Sequence, residues 1–347
     1  MARVQGIEDD PDFPDDRKGS LASAALAQLS RPEGARVGLF LGTGLSSLTP
    51  AELAIDLYPY LRDGRFDRAA LAADLDPTRA APRRHEPDRV TRVLAARLGA
   101  IRAETNFSAC AAAAQSIGAA ARAVARGDVD VAYAGGHDSM LHPIGYLSFV
   151  VLGALSSTRG RPFDRARDGF LIGEGAAIVQ IEREADARAR RAPILARLLG
   201  AGTSVDAHNV TAPHPEGRGA ALAMRRALRD AGITAADVEY VNAHGTGTPV
   251  GDIAESLAIH EVLGEVPVSS FKGALGHTIA AAGAVELAWC VRMMGEGKTF
   301  GTVGLETVDP ALRCPVLAQD LDHAPRILVS NSFGFGGQNC ALVLGCS

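Results

Sequence analysis

The stretch running from Ala100 through Asn106-Phe107-Ser108-Ala109-Cys110 to Gly127 decides the fold. Residues 100–107 read as a strand, and residues 110–126 as an alanine-rich helix closed by Gly127. A further apolar run, 129–134, enters Gly135-Gly136-His137 as a buried strand. The same order returns later: a strand over 266–271, a helix over 277–294, and Gly295 to close it. Cys110 precedes its closing glycine by 17 residues, and His277 precedes its own by 18. A helix over 219–230 leads to a strand over 238–242, and a last strand, 327–330, runs into Phe333-Gly334-Phe335-Gly336-Gly337. An early strand, 37–41, enters Gly42-Thr43-Gly44 in the same way.

These echoes predict an α/β protein made by internal duplication. Residues 1–190 form an N-terminal half carrying a cysteine. Residues 191–347 form a C-terminal half carrying two histidines and a glycine-rich loop, with the charged stretch 182–191 as the crossover. On this reading Cys110 and His277 occupy corresponding positions in two halves packed face to face. Residues 1–19 read as a loose arm and 20–29 as a helix. Residues 50–100 read as mixed helices and turns, locally basic through Arg83, Arg84, Arg89 and Arg92.

Composition bounds the function. The 347 residues suffice for about two domain-sized units. They are 47% hydrophobic and 22% charged, the balance of a soluble globular protein. A net charge of −5 gives no overall field for nucleic acid or an anionic membrane. Five cysteines (110, 290, 314, 340, 346) without paired spacing indicate free thiols in a reducing, cytoplasmic setting. The acidic, proline-containing start shows no signal-peptide pattern. The apolar run 144–155 is too short to span a bilayer and suits a core, a subunit interface or an apolar ligand channel.

Three junctions carry the chemistry. Most lone cysteines are small buried hydrophobes. Cys110, however, is placed in the first turn of a helix, where unpaired N–H groups and partial positive charge are expected to lower a thiol pKa. Asn242-Ala243-His244-Gly245-Thr246-Gly247-Thr248 follows a strand and offers an imidazole, two hydroxyls and open backbone. Lys272-Gly273-Ala274-Leu275-Gly276-His277 sets a second imidazole at the start of its helix. The other histidines (85, 137, 142, 208, 214, 260, 323) take the default structural reading. Lys272 and Glu286 lie among apolar and small neighbours, spaced so that both could sit beneath His277 as a pair. The 333–337 run is either turn glycine chemistry or a mobile gate.

Together with Arg161-Pro162-Phe163-Asp164 and Arg167-Asp168-Gly169-Phe170, these motifs resemble the elongating β-ketoacyl-acyl-carrier-protein synthases, over nearly the whole chain. The resemblance implies a thiolase-like fold, two similar halves in α-β-α-β-α layers, usually dimeric. It implies that Cys110 takes an acyl group from a carrier protein's phosphopantetheine and that a malonyl-carrier then loses carbon dioxide. The resulting enolate attacks the acyl-enzyme. His244 and His277 would stabilise the enolate, with either imidazole contacting the sulfur. Backbone N–H groups of Cys110 and Phe335 would form the oxyanion hole, and Lys272 with Glu286 would keep a histidine neutral and oriented. Phe335, with Phe333 and Gly334 beside it, would gate the pocket; Thr246 and Thr248 would line the pantetheine channel. No redox cofactor or catalytic metal is implied. Arg17, Lys18, Arg161, Arg165 and Arg167 are candidates for a basic rim facing an acidic carrier.

Two departures stand out. Family members usually begin with a further strand before the segment matching Arg17, here reduced to residues 1–16, which leaves a sheet edge to be covered. Gln338 stands where threonine is more usual. Both suggest a specialised pathway, with a homodimeric or heterodimeric arrangement with a related chain. The competing readings are a non-condensing, chain-length-determining partner, which typically lacks the nucleophile, and a thiol hydrolase or acyltransferase. The second histidine and the buried lysine are hard to explain for simple hydrolysis.

Overall fold

A computed structural model describes residues 1–14, 16–44, 58–74 and 86–347. Arg83, Arg84 and His85 lie outside the described residues.

The first half opens with α1 (Arg17–Leu26), whose N-terminus is capped by the Asp16 carboxylate accepting from the Gly19 N–H. Next come β1 (Val37–Thr43), a small hairpin of β2 (Leu61–Arg62) and β3 (Arg65–Phe66), α2 (Arg68–Ala73) and α3 (Arg89–Leu98). They are followed by β4 (Arg102–Asn106), α4 (Ala112–Arg126), β5 (Val131–Ser139), α5 (Pro143–Val151) and β6 (Glu174–Glu182). A short α6 (Glu184–Ala189) leads on. The second half comprises β7 (Arg197–Val205), α7 (Arg218–Ala231), β8 (Tyr240–Asn242), α8 (Pro249–Leu263) and β9 (Val268–Ser269). It ends with the four-residue α9 (Lys272–Leu275), α10 (Ala282–Glu296), β10 (Ile327–Gly334) and β11 (Gln338–Gly345).

Two sheets result. The first runs β4-β1-β5-β6 and the second β9-β8-β10-β11-β7. In both, three parallel strands are followed by an antiparallel one: β6 against β5, and β11 against β10. The halves therefore superimpose in order and direction, β4 on β9, β1 on β8, β5 on β10 and β6 on β11. Among the described strands of these two sheets, β7, antiparallel to β11, is without a counterpart.

Strand alternation sends side chains to two cores. Val37, Leu39 and Leu41 of β1, with Val131 and Tyr133 of β5, pack outward against α1 and α3. Phe40, Ala132 and Ala134 point inward, onto α4 and α10. The second sheet repeats this: Ala341 and Val343 face α7 and α8, and Cys340, Leu342 and Leu344 face α4 and α10. The layering is α-β-α-β-α with α4 and α10 central, the thiolase-like arrangement. Among the described residues, no helix is long and apolar enough to cross a membrane.

The duplication holds, but its register differs from the one counted in the sequence. The second helix is closed by Gly297 (φ 73°), not Gly295, which stays inside α10. Each central helix is preceded by one 3-10 turn, Ala109–Ala111 and Ile279–Ala281, whose first residues both have positive φ, 47° and 50°. Cys110 thus corresponds to Ala280. His277 lies three residues earlier, ahead of the turn, so the equivalence of Cys110 with His277 and the placing of His277 in the helix are both corrected.

The sheets tolerate little added bulk between strands. A Cβ on Gly135 would lie 1.9 Å from the Ala177 carbonyl oxygen across the β5–β6 pair. Gly135→Ala is expected to lower stability by about 1–3 kcal/mol or more through overpacking, seen as a shifted urea midpoint. An unchanged midpoint would contradict this packing.

Candidate active site

The turn carrying Cys110 is pinned from three sides. Asn106 Oδ1 accepts from the Ser108 N–H at 2.8 Å, and Ser108 Oγ donates to Gln115 Oε1 at 2.9 Å. The third contact is Gly334, where a Cβ would lie 2.8 Å from Ser108 O and 3.0 Å from Cys110 N. The β10–β11 turn therefore lies directly against the backbone of the cysteine. The Phe335 N–H bonds to the sulfur.

The second imidazole arrives by a different route. The Gly173 N–H donates to His277 O and the His277 N–H to Leu171 O, stitching this segment to the strand entering β6. The ring projects so that His277 Nε2 lies 3.0 Å from Cys110 Sγ. Its other nitrogen, Nδ1, accepts the Ile279 N–H at 3.3 Å. A ring whose Nδ1 accepts a backbone N–H carries its proton on Nε2. His277 is therefore a donor toward the sulfur, not a base waiting for the thiol proton.

His244 completes the triangle. The thiol sulfur and one nitrogen from each ring all lie within 4.8 Å of one another. The two imidazoles meet edge to face at 5.4 Å, and Phe170 stands edge-on to His277 at 4.9 Å. One cysteine and two histidines are also a donor set that suits zinc. The Nε2–H form of His277 argues against it, because that lone pair is occupied, and His244 Nδ1 lacks the hydrogen-bond partner that orients a ligating imidazole.

Burial sets the electrostatics. It pushes the Cys110 thiol up to about 12, against the pull of the Lys272 charge and the Phe335 N–H. The depressed thiol pKa expected from the helix terminus is thus overruled by desolvation. Burial, followed by the Lys272 charge, holds both histidines well below 6.5, so both rings are neutral at physiological pH. Lys272 itself is buried and paired with Glu286, Nζ to Oε1, at 2.5 Å. Asn242 Nδ2 donates to the other carboxylate oxygen.

A cavity of about 320 Å³ opens onto this group, lined by Thr246, Thr248, Phe333, Gly334 and Phe335 among others. Thr246 and Thr248 share a 2.9 Å hydroxyl bond at its wall. Inward of the sulfur, Phe149 stacks on Phe335 at 6.4 Å, within an apolar cluster that includes Leu155 and Ile172. The apolar run 144–155 therefore does reach the cavity, but through few residues. Tyr146, Leu147, Val150 and Val151 point to solvent.

Two carboxylates that the sequence reading passed over organise the His244 loop. Glu255 accepts the N–H groups of His244 and Gly245, both at 2.8 Å, and the Asn331 amide at 3.2 Å. Asp252 accepts from Gly247 and Phe163. Both lie in the opening turns of α8, where acids are ordinary, so only their separation of three residues after Gly-Thr-Gly-Thr was available as a signal.

Three members of the expected basic rim are structural instead. Lys18 is buried and donates to Gly44 O. Arg17 is held by Glu174 at 2.8 Å, and Arg167 is buried between Asp252 and Asp309 at 3.3 and 2.6 Å. Arg165 is exposed and Arg161 half-buried.

Known proteins match this chain closely. The models of the β-ketoacyl synthase N-terminal and C-terminal domains match residues 99–187 and 195–306. The 3-oxoacyl-[acyl-carrier-protein] synthase 2 of Staphylococcus aureus is 37% identical over 324 residues, covering 89% of this chain and 74% of that protein. The ketosynthase ApeO in complex with its chain length factor ApeC, from Xenorhabdus doucetiae, superimposes with a TM-score of 0.84 at 32% identity, over 99% of this chain and 86% of that one. A type II polyketide ketosynthase in complex with its acyl carrier protein, AntDE:AntF, gives a TM-score of 0.85 at 26% identity, over 100% and 88%. With two similar halves closing a thiol and two neutral imidazoles around one cavity, the chain belongs to the β-ketoacyl synthase family.

Proposed function

We propose that this chain extends an acyl group held on Cys110 by decarboxylative condensation with a malonyl unit delivered on the phosphopantetheine of an acyl carrier protein. The observation that carries the reading is the 3.0 Å approach of a protonated His277 Nε2 to Cys110 Sγ, with His244 in the same triangle.

The steps follow from the proton inventory. The Cys110 sulfur attacks the acyl thioester carbon, its proton leaves with the carrier's thiol, and the transient oxyanion accepts from the Cys110 and Phe335 N–H groups. The malonyl thioester then binds with its carbonyl oxygen between His244 and His277. Loss of carbon dioxide leaves the C–C electron pair in an enolate, which neutral imidazole N–H groups stabilise without first losing a proton. The enolate carbon attacks the acyl-cysteine carbonyl, the C–S bond breaks, and the sulfur leaves as a thiolate that takes up one proton from water to restore the thiol as the β-ketoacyl carrier departs. Lys272, clamped by Glu286, opposes protonation of both rings. The exposed apolar side of α5 supports burial against a related chain, in a homodimer or heterodimer. Arg161 and Arg165 remain as carrier contacts.

Incubation with acyl- and malonyl-carrier protein, read by mass spectrometry, tests the reading. An acyl adduct on Cys110 followed by an elongated β-ketoacyl carrier supports it; free acid alone indicates a hydrolase, and no adduct a non-catalytic partner. Cys110→Ala is expected to form no adduct. His244→Ala should still acylate but lose about 100-fold or more in elongation, and equal loss of both steps would refute this division of labour.

Burial favours the neutral thiol, so the thiolate fraction should keep rising with pH beyond 9.0, the ordinary thiol value. Iodoacetamide labelling of Cys110 in the free enzyme is expected to climb log-linearly past that point; a plateau below it would show a more acidic thiol. Both imidazoles must be neutral and are held well below 6.5, so decarboxylation should persist below that pH and fail only in stronger acid. Lys272→Met leaves Glu286 a buried carboxylate without its cation. A loss of about 3–5 kcal/mol is expected, measured by urea unfolding, with Lys272→Met/Glu286→Leu recovering most of it.

A further inference from the structure

Superimposing the halves pairs single residues as well as strands. With Cys110 on Ala280, Ala113 of α4 falls on Gly283 of α10. A Cβ on Gly136 would lie 2.7 Å from the Ala113 methyl, and a Cβ on Gly283 would lie 2.8 Å from Ser332 Oγ. Gly136 of β5 therefore corresponds to Ser332 of β10, and the first residues of those strands, Val131 and Ile327, correspond as well. Two residues further on, Asp138 corresponds to Gly334.

This pair treats one N–H in opposite ways. A Cβ on Gly334 would lie 3.0 Å from Cys110 N, so the missing side chain leaves room beside the N–H that would receive the oxyanion. In the other half the side chain is present. Asp138 Oδ2 accepts the Ala280 N–H at 3.1 Å, and Oδ1 accepts the Ser139 N–H at 2.9 Å. An internal carboxylate thus fills the copy of the oxyanion position.

The carboxylate is itself clamped. It is buried, and a Cβ on Gly44 would lie 2.5 and 2.9 Å from its two oxygens, so the main chain after β1 presses on it. Lys18 Nζ donates to Gly44 O at 3.2 Å. Burial pushes the Asp138 carboxyl up, and the Lys18 charge opposes it. What the clamp holds is the turn Ile279–Ala281. Its three N–H groups go to His277 Nδ1 at 3.3 Å, to Asp138, and to Thr278 O at 3.0 Å. Ile279 is left-handed (φ 50°), a conformation that lasts only where the surroundings enforce it. By fixing the peptide between Ile279 and Ala280, Asp138 enforces the twist that aims the Ile279 N–H at the imidazole.

We propose that Asp138 is a positioning residue for the condensation: its bond to the Ala280 N–H holds the turn that keeps the His277 proton on Nε2. The role rests on the condensation described above and deepens it, tracing the donor at His277 to a carboxylate from the other half of the chain.

Asp138→Ala and the double variant Gly44→Ala/Asp138→Ala separate positioning from packing. The methyl added at position 44 falls where the carboxylate stood, so it refills the space without restoring the acceptor. In the free enzyme with nitrogen-15 histidine, the ring shifts of His277, identified by their loss in His277→Gln, report which nitrogen is protonated. The parent should show Nε2–H alone, and both variants a mixture with Nδ1–H. Elongation kcat should fall about tenfold or more in both, with KM for the malonyl-carrier within about twofold and Cys110 acylation retained. The double variant should regain the parent's thermal midpoint but not its kcat, and it carries the test should Asp138→Ala not fold. An unchanged tautomer, or a kcat restored in the double variant, would reduce Asp138 to packing and overturn the proposal. A parent that acylates without elongating would refute the condensation instead, while the ring shifts still decide whether Asp138 holds the turn.

Discussion

The two central helices touch because the residues between them have almost no side chain, and the active site is a product of that contact. Gly283 of α10 sits where a Cβ would be 2.8 Å from the Ala114 methyl of α4. A Cβ on Gly136 would lie 2.7 Å from Ala113 and 2.8 Å from the Ala280 carbonyl oxygen. Larger residues at these points would wedge the halves apart. The separation between sulfur and imidazole is thus set by backbone packing in the middle layer, not by flexible side chains reaching across a gap.

The same burial that fixes the geometry dictates which forms of the groups exist. A buried thiol and two buried imidazoles all favour neutrality. Lys272, buried beneath them, is paired with Glu286 at 2.5 Å. The result is a pocket of neutral groups with the His277 Nε2–H directed at the sulfur, which the proposed condensation would use to receive a developing negative charge. Glu255 adds to this from behind by fixing the main chain of the His244 loop, so the ring's position is inherited from a carboxylate with no direct part in the chemistry.

Much of this was legible in the residues, and what was not has specific causes. Strand–turn–helix junctions showed because small residues and glycines punctuate them, and the three reactive side chains sit at such punctuation. The register of the repeat was misread because Gly295 and Gly297 look alike in sequence, while only Gly297 adopts the left-handed conformation that ends a helix. Arg17, Lys18 and Arg167 read as surface charge because their partners are remote in the chain: Glu174 is 157 residues from Arg17, and Asp309 is 142 from Arg167. The thiol was expected to be acidic from its helix terminus alone, since the depth of its burial depends on Phe149, Phe170 and Phe335, which only the fold assembles.

The contact between the Ile279 N–H and His277 Nδ1 has a consequence for how this site can drift over time. The donor is main chain, present for any residue but proline at position 279, and it is aimed by a left-handed residue at the head of the turn. Substitution can shift the ring or alter its surroundings, yet the instruction about where the proton resides is written in the polypeptide itself. A tautomer specified this way is insulated from most single-codon change, leaving the side chains that line the cavity free to diversify around a constant imidazole.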